Sequence, residues 1–358
     1  MIYKLTILLF CLATFANCWR FTFDADPRDT HPEEYEQTWQ AAKKLFGDEG
    51  EFLITAGDAE ITEDRLGDLQ NVFGDDIRWF PVWGNHEVED MNEEQLEYSR
   101  ELLKKSAGDE LVNKGPAGSE RTTFSWDHKN VHFVALNQYF DGESDSGDNT
   151  CTYKEDNVTK DDCPGNMIDP IYEWLKDDLE DNDKPFIFVI GHEPAFPVFR
   201  HLEDSLNRYA DNRNRFWALL VEHKVNFYIC GHTHYYSRVV SGLSNPPVYQ
   251  IDAGESKWGD YGQPSLFGNV EILDDDCGIH LTMWASATED DPFTLSDTVE
   301  YFNSHLSETE LDECKKKFYV PSDHNDDDND DTVSSSDVFN SSKILLLAAI
   351  LLVSLLFF

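Results

Sequence analysis

Four times along this chain a short apolar run stops at a glycine, and side chains able to bind metals follow at once. The four motifs are Gly57-Asp58, Gly84-Asn85-His86-Glu87, Gly191-His192-Glu193 and Gly231-His232-Thr233-His234. The runs before them, residues 52–56, 77–83, 185–190 and 225–230, are short and rich in branched and aromatic residues, as buried strands are. A fold that ends four strands this way gathers the following side chains at the strands' carboxyl ends, where α/β proteins bind ligands. Glycine lets the backbone turn sharply there, so that the next side chain points into the crevice.

The rest of the chain supports such a fold. Residues 122–126 and 131–136 read as a hairpin around Asp127-His128-Lys129-Asn130, and 248–251 as a further short strand. Tyr35, Trp39, Ala42 and Phe46 share one helical face, closed by Gly47. Pro170 suits the first turn of a helix whose apolar face is Ile171, Trp174, Leu175 and Leu179; Phe216, Leu219 and Leu220 make a third face. Strand and helix in alternation, with extra antiparallel strands, predict an α/β sandwich. The chain has 358 residues and no internal repeat, and a body of about residues 19–318 is long enough for an ample core.

The donors define the chemistry. Asp58 offers two anionic oxygens suited to bridging two cations, Asn85 a neutral carbonyl oxygen, and His192, His232 and His234 imidazole nitrogens. Mixed nitrogen and oxygen sets suit zinc, iron, manganese or cobalt rather than calcium or magnesium alone. His232 and His234 share a face of an extended segment, and a turn can aim each at a different ion. Each motif alone is ordinary turn sequence; four in order, each behind an apolar run, are not. The formal net charge of −42 repels polyphosphate backbones, which argues against a nucleic-acid scaffold. A small anionic substrate needs local positive charge, and metal ions are its source here.

This set of motifs, spanning about residues 19–285, resembles the calcineurin-like metallophosphoesterase superfamily, whose blocks are D-x-H, G-D, G-N-H-[ED], G-H and G-H-x-H. The last four stand intact. The first departs: in Asp26-Pro27-Arg28, arginine takes the position of the usual histidine. Asp26 is the preferred first-block ligand because Pro27 marks the strand's end, and Asp24 is the competing register. The resemblance implies a four-layer α-β-β-α sandwich with two mixed sheets. It implies two divalent ions (zinc, iron or manganese), one held by Asp26, Asp58 and His234, the other by Asp58, Asn85, His192 and His232. It further implies hydrolysis of a small phosphate ester by a metal-bridging hydroxide, with His86 as general acid and monoesters favoured. A phosphodiesterase of the same fold and a non-catalytic metal-binding surface protein are the alternatives. Arg28 either clamps the substrate phosphate or forms a surface ion pair. Arg200, His201 and Arg208 are pocket candidates, with His201 preferred for substrate binding; His132 and His280 read as packed or paired. Purple acid phosphatases carry a tyrosine ligand to ferric iron three residues after the aspartate of G-D. That position is Ile61, so no purple charge-transfer colour is expected.

The termini predict a surface location. Lys4, the apolar stretch 5–15 and Ala16-Asn17-Cys18 form a secretory leader over residues 1–18. Residues 344–358 are apolar apart from Ser354; as a helix they reach about 22 Å, short of a hydrocarbon core of about 30 Å. With Ser334-Ser335-Ser336 upstream this is the layout of a glycolipid (GPI) anchor signal, Ser334 being the attachment site, and a short transmembrane tail is the rival. Residues 319–343, including the Asp/Asn run, read as a disordered acidic stalk. The expected location is the extracellular face of the cell membrane. Cys151 with Cys163 and Cys277 with Cys314 are the expected disulfides, leaving Cys230 as a buried thiol. Asn157 begins a glycosylation sequon.

Overall fold

The computed structural model describes residues 18–28, 32–47, 50–146, 165–241, 244–259, 262–273 and 276–318. Cys151, Cys163, Asn157, Ser334, the stalk, the tail and residues 1–17 of the leader lie outside them. The first half of the chain runs β1 (Trp19–Asp24), α1 (Pro32–Phe46), β2 (Gly50–Thr55), α2 (Glu63–Phe73), β3 (Arg78–Pro81), α3 (Asn85–Asp90), α4 (Glu93–Ala107), β4 (Leu111–Lys114), β5 (Phe124–His128) and β6 (Val131–Ala135). The second half runs α5 (Asp169–Asp181), β7 (Phe186–Ile190), α6 (Ala210–Glu222), β8 (Phe227–Cys230), β9 (Tyr236–Val240), β10 (Tyr249–Ala253), β11 (Ser265–Ile272), β12 (Gly278–Ser286), β13 (Thr294–Phe302) and α7 (Glu308–Phe318).

Two mixed sheets result, ordered β13-β12-β11-β1-β2-β3 and β4-β5-β6-β7-β8-β10-β9. β1, β2 and β3 run parallel in the first, and β6, β7, β8 and β10 in the second. Aromatic rings fill the space between the sheets. Phe21 of β1 lies 5.3 Å edge-on from both Phe133 of β6 and Phe188 of β7, and Phe80 of β3 stacks on Trp126 of β5 at 4.3 Å. Each such pair adds about 0.5–1.5 kcal/mol to the area it buries. Ile171, Leu175, Leu179, Phe216, Leu219 and Leu220 of α5 and α6 cover the outer face of the second sheet, while α1 packs on α2 and β11 over the first. This is the expected four-layer α-β-β-α sandwich.

Several local expectations shift in detail. The hairpin strands are longer at the turn than the sequence suggests. His128 still pairs with Val131, and Lys129 adopts φ 53°, so the turn is Lys129-Asn130 alone. β11, β12, β13 and helices α2 and α4 were not evident in the sequence, because polar residues interrupt their apolar periods. Cys277 and Cys314 form a disulfide that ties α7 to the start of β12. With 37 residues between its ends it removes unfolded-chain entropy worth about 3–4 kcal/mol. Cys230 is a buried free thiol. No helix among the described residues is long and apolar enough to cross a membrane.

His132 is packed, not near the motif cluster. Its Nδ1 lies 2.7 Å from Asp127 Oδ1 and its Nε2 3.0 Å from Asp178 Oδ2, and Lys184 sits 3.3 Å from Asp127. Burial disfavours the charged ring, but the two carboxylates outweigh it and raise the pKa above the usual 6.5. A raised folded value stabilises fully below the unfolded one and is lost as pH climbs through the folded one. The urea midpoint should therefore fall as pH is raised from 6.5 upward, and His132→Gln should flatten that fall. A wild-type midpoint that is level or rising over this window contradicts the assignment.

Candidate metal centre

The parallel strands of both sheets end at one mouth. β1 delivers Asp26, β2 Asp58, β3 Asn85 and His86, β7 His192 and β8 His232 and His234. Bonds cross from sheet to sheet at this level. The His232 amide donates to Asp26 Oδ2 at 2.9 Å, and His192 Nδ1 donates to the Ala56 carbonyl at 2.8 Å. That second bond places the His192 proton on Nδ1 and leaves the Nε2 lone pair facing inward.

The inward atoms converge. His192 Nε2 lies 3.4 Å from Asp58 Oδ2 and 4.0 Å from Asp26 Oδ1, and His234 Nε2 lies 3.6 Å from Asp26 Oδ1. Two donors on one tetrahedral ion at bond lengths of about 2.1 Å sit about 3.4 Å apart. Asp26, Asp58 and His192 can each place a donor atom within 4.8 Å of the other two, and all three are buried. Asp26 Oδ1, Asn85 Oδ1 and His192 Nε2 are buried with no hydrogen-bond partner among the described residues. Buried polar atoms are rarely left so, and the first and last of these lie 4.0 Å apart. The residues therefore fit the ions that the sequence implies. Asp24 does not take part: its Oδ2 accepts the Trp39 indole N–H at 2.7 Å.

The backbone is built around these contacts. Asp26, Asp58, His232 and His234 all adopt positive φ, at 52°, 53°, 70° and 62°. Side-chain-bearing residues seldom do so, and such strain concentrates at functional sites. The motif glycines leave room. A Cβ on Gly57 would lie 2.1 Å from His192 Nδ1, one on Gly84 2.1 Å from Asp58 Oδ1, and one on Gly231 2.5 Å from Asp26 Oδ2. Glu87 staples two of the motif loops together. Its carboxylate accepts the amides of Asp58, Ala59, Glu60 and Gly84 at 2.7–3.0 Å.

The match to a family model settles the ancestry: that of the calcineurin-like phosphoesterases covers residues 29–236. The chain belongs to this family. A search of curated proteins finds no match. Among solved structures the chain is similar to the GAP50 anchor of the Plasmodium inner membrane complex, at 14% identity and TM-score 0.49 over 85% of this chain and 98% of that one. It is similar to a purple acid phosphatase from yellow lupin seeds, at 11% identity and TM-score 0.49 over 80% and 54%. A putative 5'-nucleotidase from Staphylococcus aureus shares 14% identity, with TM-score 0.42 over 84% and 58%.

Electrostatics at the mouth call for cations. Burial raises Asp26 well above the carboxylate range and lifts Glu193 to about 7 and Asp252 to about 8. Burial and then the neighbouring Asp58 lift Glu87 to about 7. Burial acts on Asp58 in the same sense, but His192 outweighs it and holds that carboxyl well below its usual range. His192 is raised in return, against its own burial. His232 is driven well down, by burial and then by His192. Buried carboxyls and imidazoles this close together are the setting in which a bound divalent ion would be the largest local charge.

His86 and Arg28 stand on the open side. His86 Nε2 lies 3.8 Å from Asp58 Oδ2, and its amide donates to Asp58 Oδ1 at 3.0 Å. Its Nδ1 lies 2.7 Å from Asp90 Oδ2 and 2.5 Å from Arg28 Nη1, and Arg28 pairs with Asp90 at 2.9 Å. Of the two readings of Arg28, the structure places it in an ion pair at the rim. His201 adopts φ 56°, its ring lies tilted against that of His232 with centroids 4.0 Å apart, and it bonds Asp204 at 2.8 Å through Nδ1.

Residues outside the four motifs complete the site. Gln138 Oε1 accepts the amides of His192 and Glu193 at 2.8 and 2.7 Å, Tyr139 donates to Glu193 at 2.7 Å, and Glu255 Oε2 lies 3.1 Å from His234 Nδ1. Gln138 and Tyr139 follow the end of β6, and Glu255 follows that of β10. Position at a strand's carboxyl end marks them, as it marks the motifs.

Proposed function

We propose that this protein is a two-metal hydrolase of small phosphate esters, with phosphomonoesters preferred. The observation that carries the reading is the inward convergence of buried, unpartnered Asp26 Oδ1 and His192 Nε2 on Asp58 Oδ2. Asp26, Asp58 and His234 hold one ion, and Asp58, Asn85, His192 and His232 the other. Bound there, such ions polarise the phosphoryl oxygens and lower the pKa of a water nucleophile.

The chain's own residues do the rest. The strand ends fix the donors on rigid elements and keep their orientation at little entropic cost. Asp90 and Arg28 both meet His86 Nδ1, at 2.7 and 2.5 Å, which turns Nε2 toward the cluster. From there it hands a proton to the departing alkoxide. Arg28 brings a guanidinium, paired with Asp90, to the open side, and a monoester brings one more negative charge than a diester.

The test is phosphate release from p-nitrophenyl phosphate and from bis(p-nitrophenyl) phosphate, with and without manganese or zinc. Metal-dependent turnover of the monoester in excess of the diester is expected; no turnover of either ester with any metal sinks the proposal. His86→Ala should lose about 10²–10⁴-fold on an alkyl phosphate, the range of general-acid catalysis. It should lose far less on the nitrophenyl ester, whose leaving group needs no proton. Equal losses on both remove His86 from the acid role.

A further inference from the structure

Glu193 follows His192 at the carboxyl end of β7 and is 1% exposed. Its two oxygens are unlike. Oε1 accepts the Tyr139 hydroxyl at 2.7 Å and the Gly165 amide at 3.3 Å. Oε2 is buried, has no hydrogen-bond partner among the described residues and points at His232 Nε2 from 3.4 Å. That spacing equals the one between His192 Nε2 and Asp58 Oδ2. It is again the separation, about 3.4 Å, of two donors on one tetrahedral ion.

The surroundings hold Glu193 in this pose. A Cβ on Gly165 would lie 2.3 Å from Glu193 Cγ, so the chain passes the side chain at the one place where a larger residue could not. Gln138 fixes the Glu193 amide at 2.7 Å. His192 and His232 meet edge to face at 5.1 Å, which puts Glu193 Oε2 at the His232 flank of the cluster. An unpaired buried carboxylate oxygen is costly unless a cation or a donor meets it.

We propose that Glu193 Oε2 is a direct ligand of the ion at His232. This rests on the metal centre proposed above and adds to it. The second donor set otherwise contains one shared carboxylate, two imidazoles and the neutral Asn85 amide. Glu193 supplies that ion with an anionic oxygen of its own, and Tyr139 is the positioning residue that holds the other oxygen.

The wild-type protein loaded with zinc and crystallised gives the direct test. A zinc ion about 2.0–2.2 Å from Glu193 Oε2 is the expected result. In solution, Glu193→Gln keeps an acceptor for Tyr139 and Gly165 but removes the charge. Zinc titration against a competing chelator should show one of two ions weakened by about 10–100-fold or more, since even outer-shell changes cost that much. Two ions bound with Glu193 Oε2 turned away from both overturns this inference and leaves the metal centre standing, as do unchanged affinities in the variant. One ion held between Glu193 and His232 supports it while removing the two-ion reading. A wild-type protein that binds no zinc overturns both. If the variant does not fold, the wild-type crystal decides.

Discussion

Replacing Asp58 by asparagine should abolish turnover, with kcat for p-nitrophenyl phosphate down by about 10⁴-fold, or about 5.5 kcal/mol of barrier. The two side chains are nearly the same shape, so the loss is one of charge. Asp58 is the only residue assigned to both ions, and its Oδ1 also receives the His86 amide. The asparagine oxygen can still accept that amide, so the loop carrying His86 should stay in place. Both ions lose their common anion, however, and His192 loses the carboxylate 3.4 Å from its Nε2. Metal content measured on the dialysed variant should drop with the activity, while the circular dichroism stays that of the wild type. Turnover within tenfold of wild type refutes the bridging role. So does an inactive variant that keeps both ions at full affinity.

Gly57→Ala is the second variant expected to have a large effect, and it acts through space rather than charge. Gly57 has φ 92°, where alanine is strained, and the new Cβ would lie 2.1 Å from His192 Nδ1 and 2.8 Å from its Cβ. The ring must move or the β2 loop must. A displacement of about 1 Å at a reacting centre costs about 10²-fold in rate. The backbone conformation alone costs about 1–3 kcal/mol of stability. Gly74→Ala separates the two terms, because Gly74 has φ 103° with nothing near its missing Cβ. It should show the stability loss by urea titration and full activity. An active Gly57→Ala protein with wild-type metal content would mean that His192 does not need its present place.

The site was more legible in the sequence than the fold around it, and the reason is physical. Metal donors must be particular atoms at the ends of particular strands, so they leave short, ordered motifs. Asp58, Asn85, His192 and His234 could be picked out as candidate donors from four motifs of two to four residues. Their supporters could not, because a glutamine that receives two amides, like Gln138, looks like any polar residue after a strand. Glu87 stands in one of the motifs, but that it receives four amides from two loops depends on a turn 28 residues upstream. Arg28 was open between two roles, since its partner Asp90 lies 62 positions away. Among strands, β7 and β8 are buried on both faces and read as continuous apolar runs. β13 opens on three exposed residues, buries only Val299 and Tyr301, and lies at a sheet edge, where pairing with β12 and not hydrophobicity defines it.

The disulfide has a geometric corollary. Cys314 and Cys277 cluster with Leu273 and Cys18, at the end of β1 where the strand enters the sheet. Asp26 lies past the other end of that strand, about 20 Å away at about 3.3 Å per residue. The cystine thus pins the last helix at the opposite end of β1 from the strand ends that carry the candidate metal donors, so a change in how that helix is held acts on the donors only through the length of the sheet.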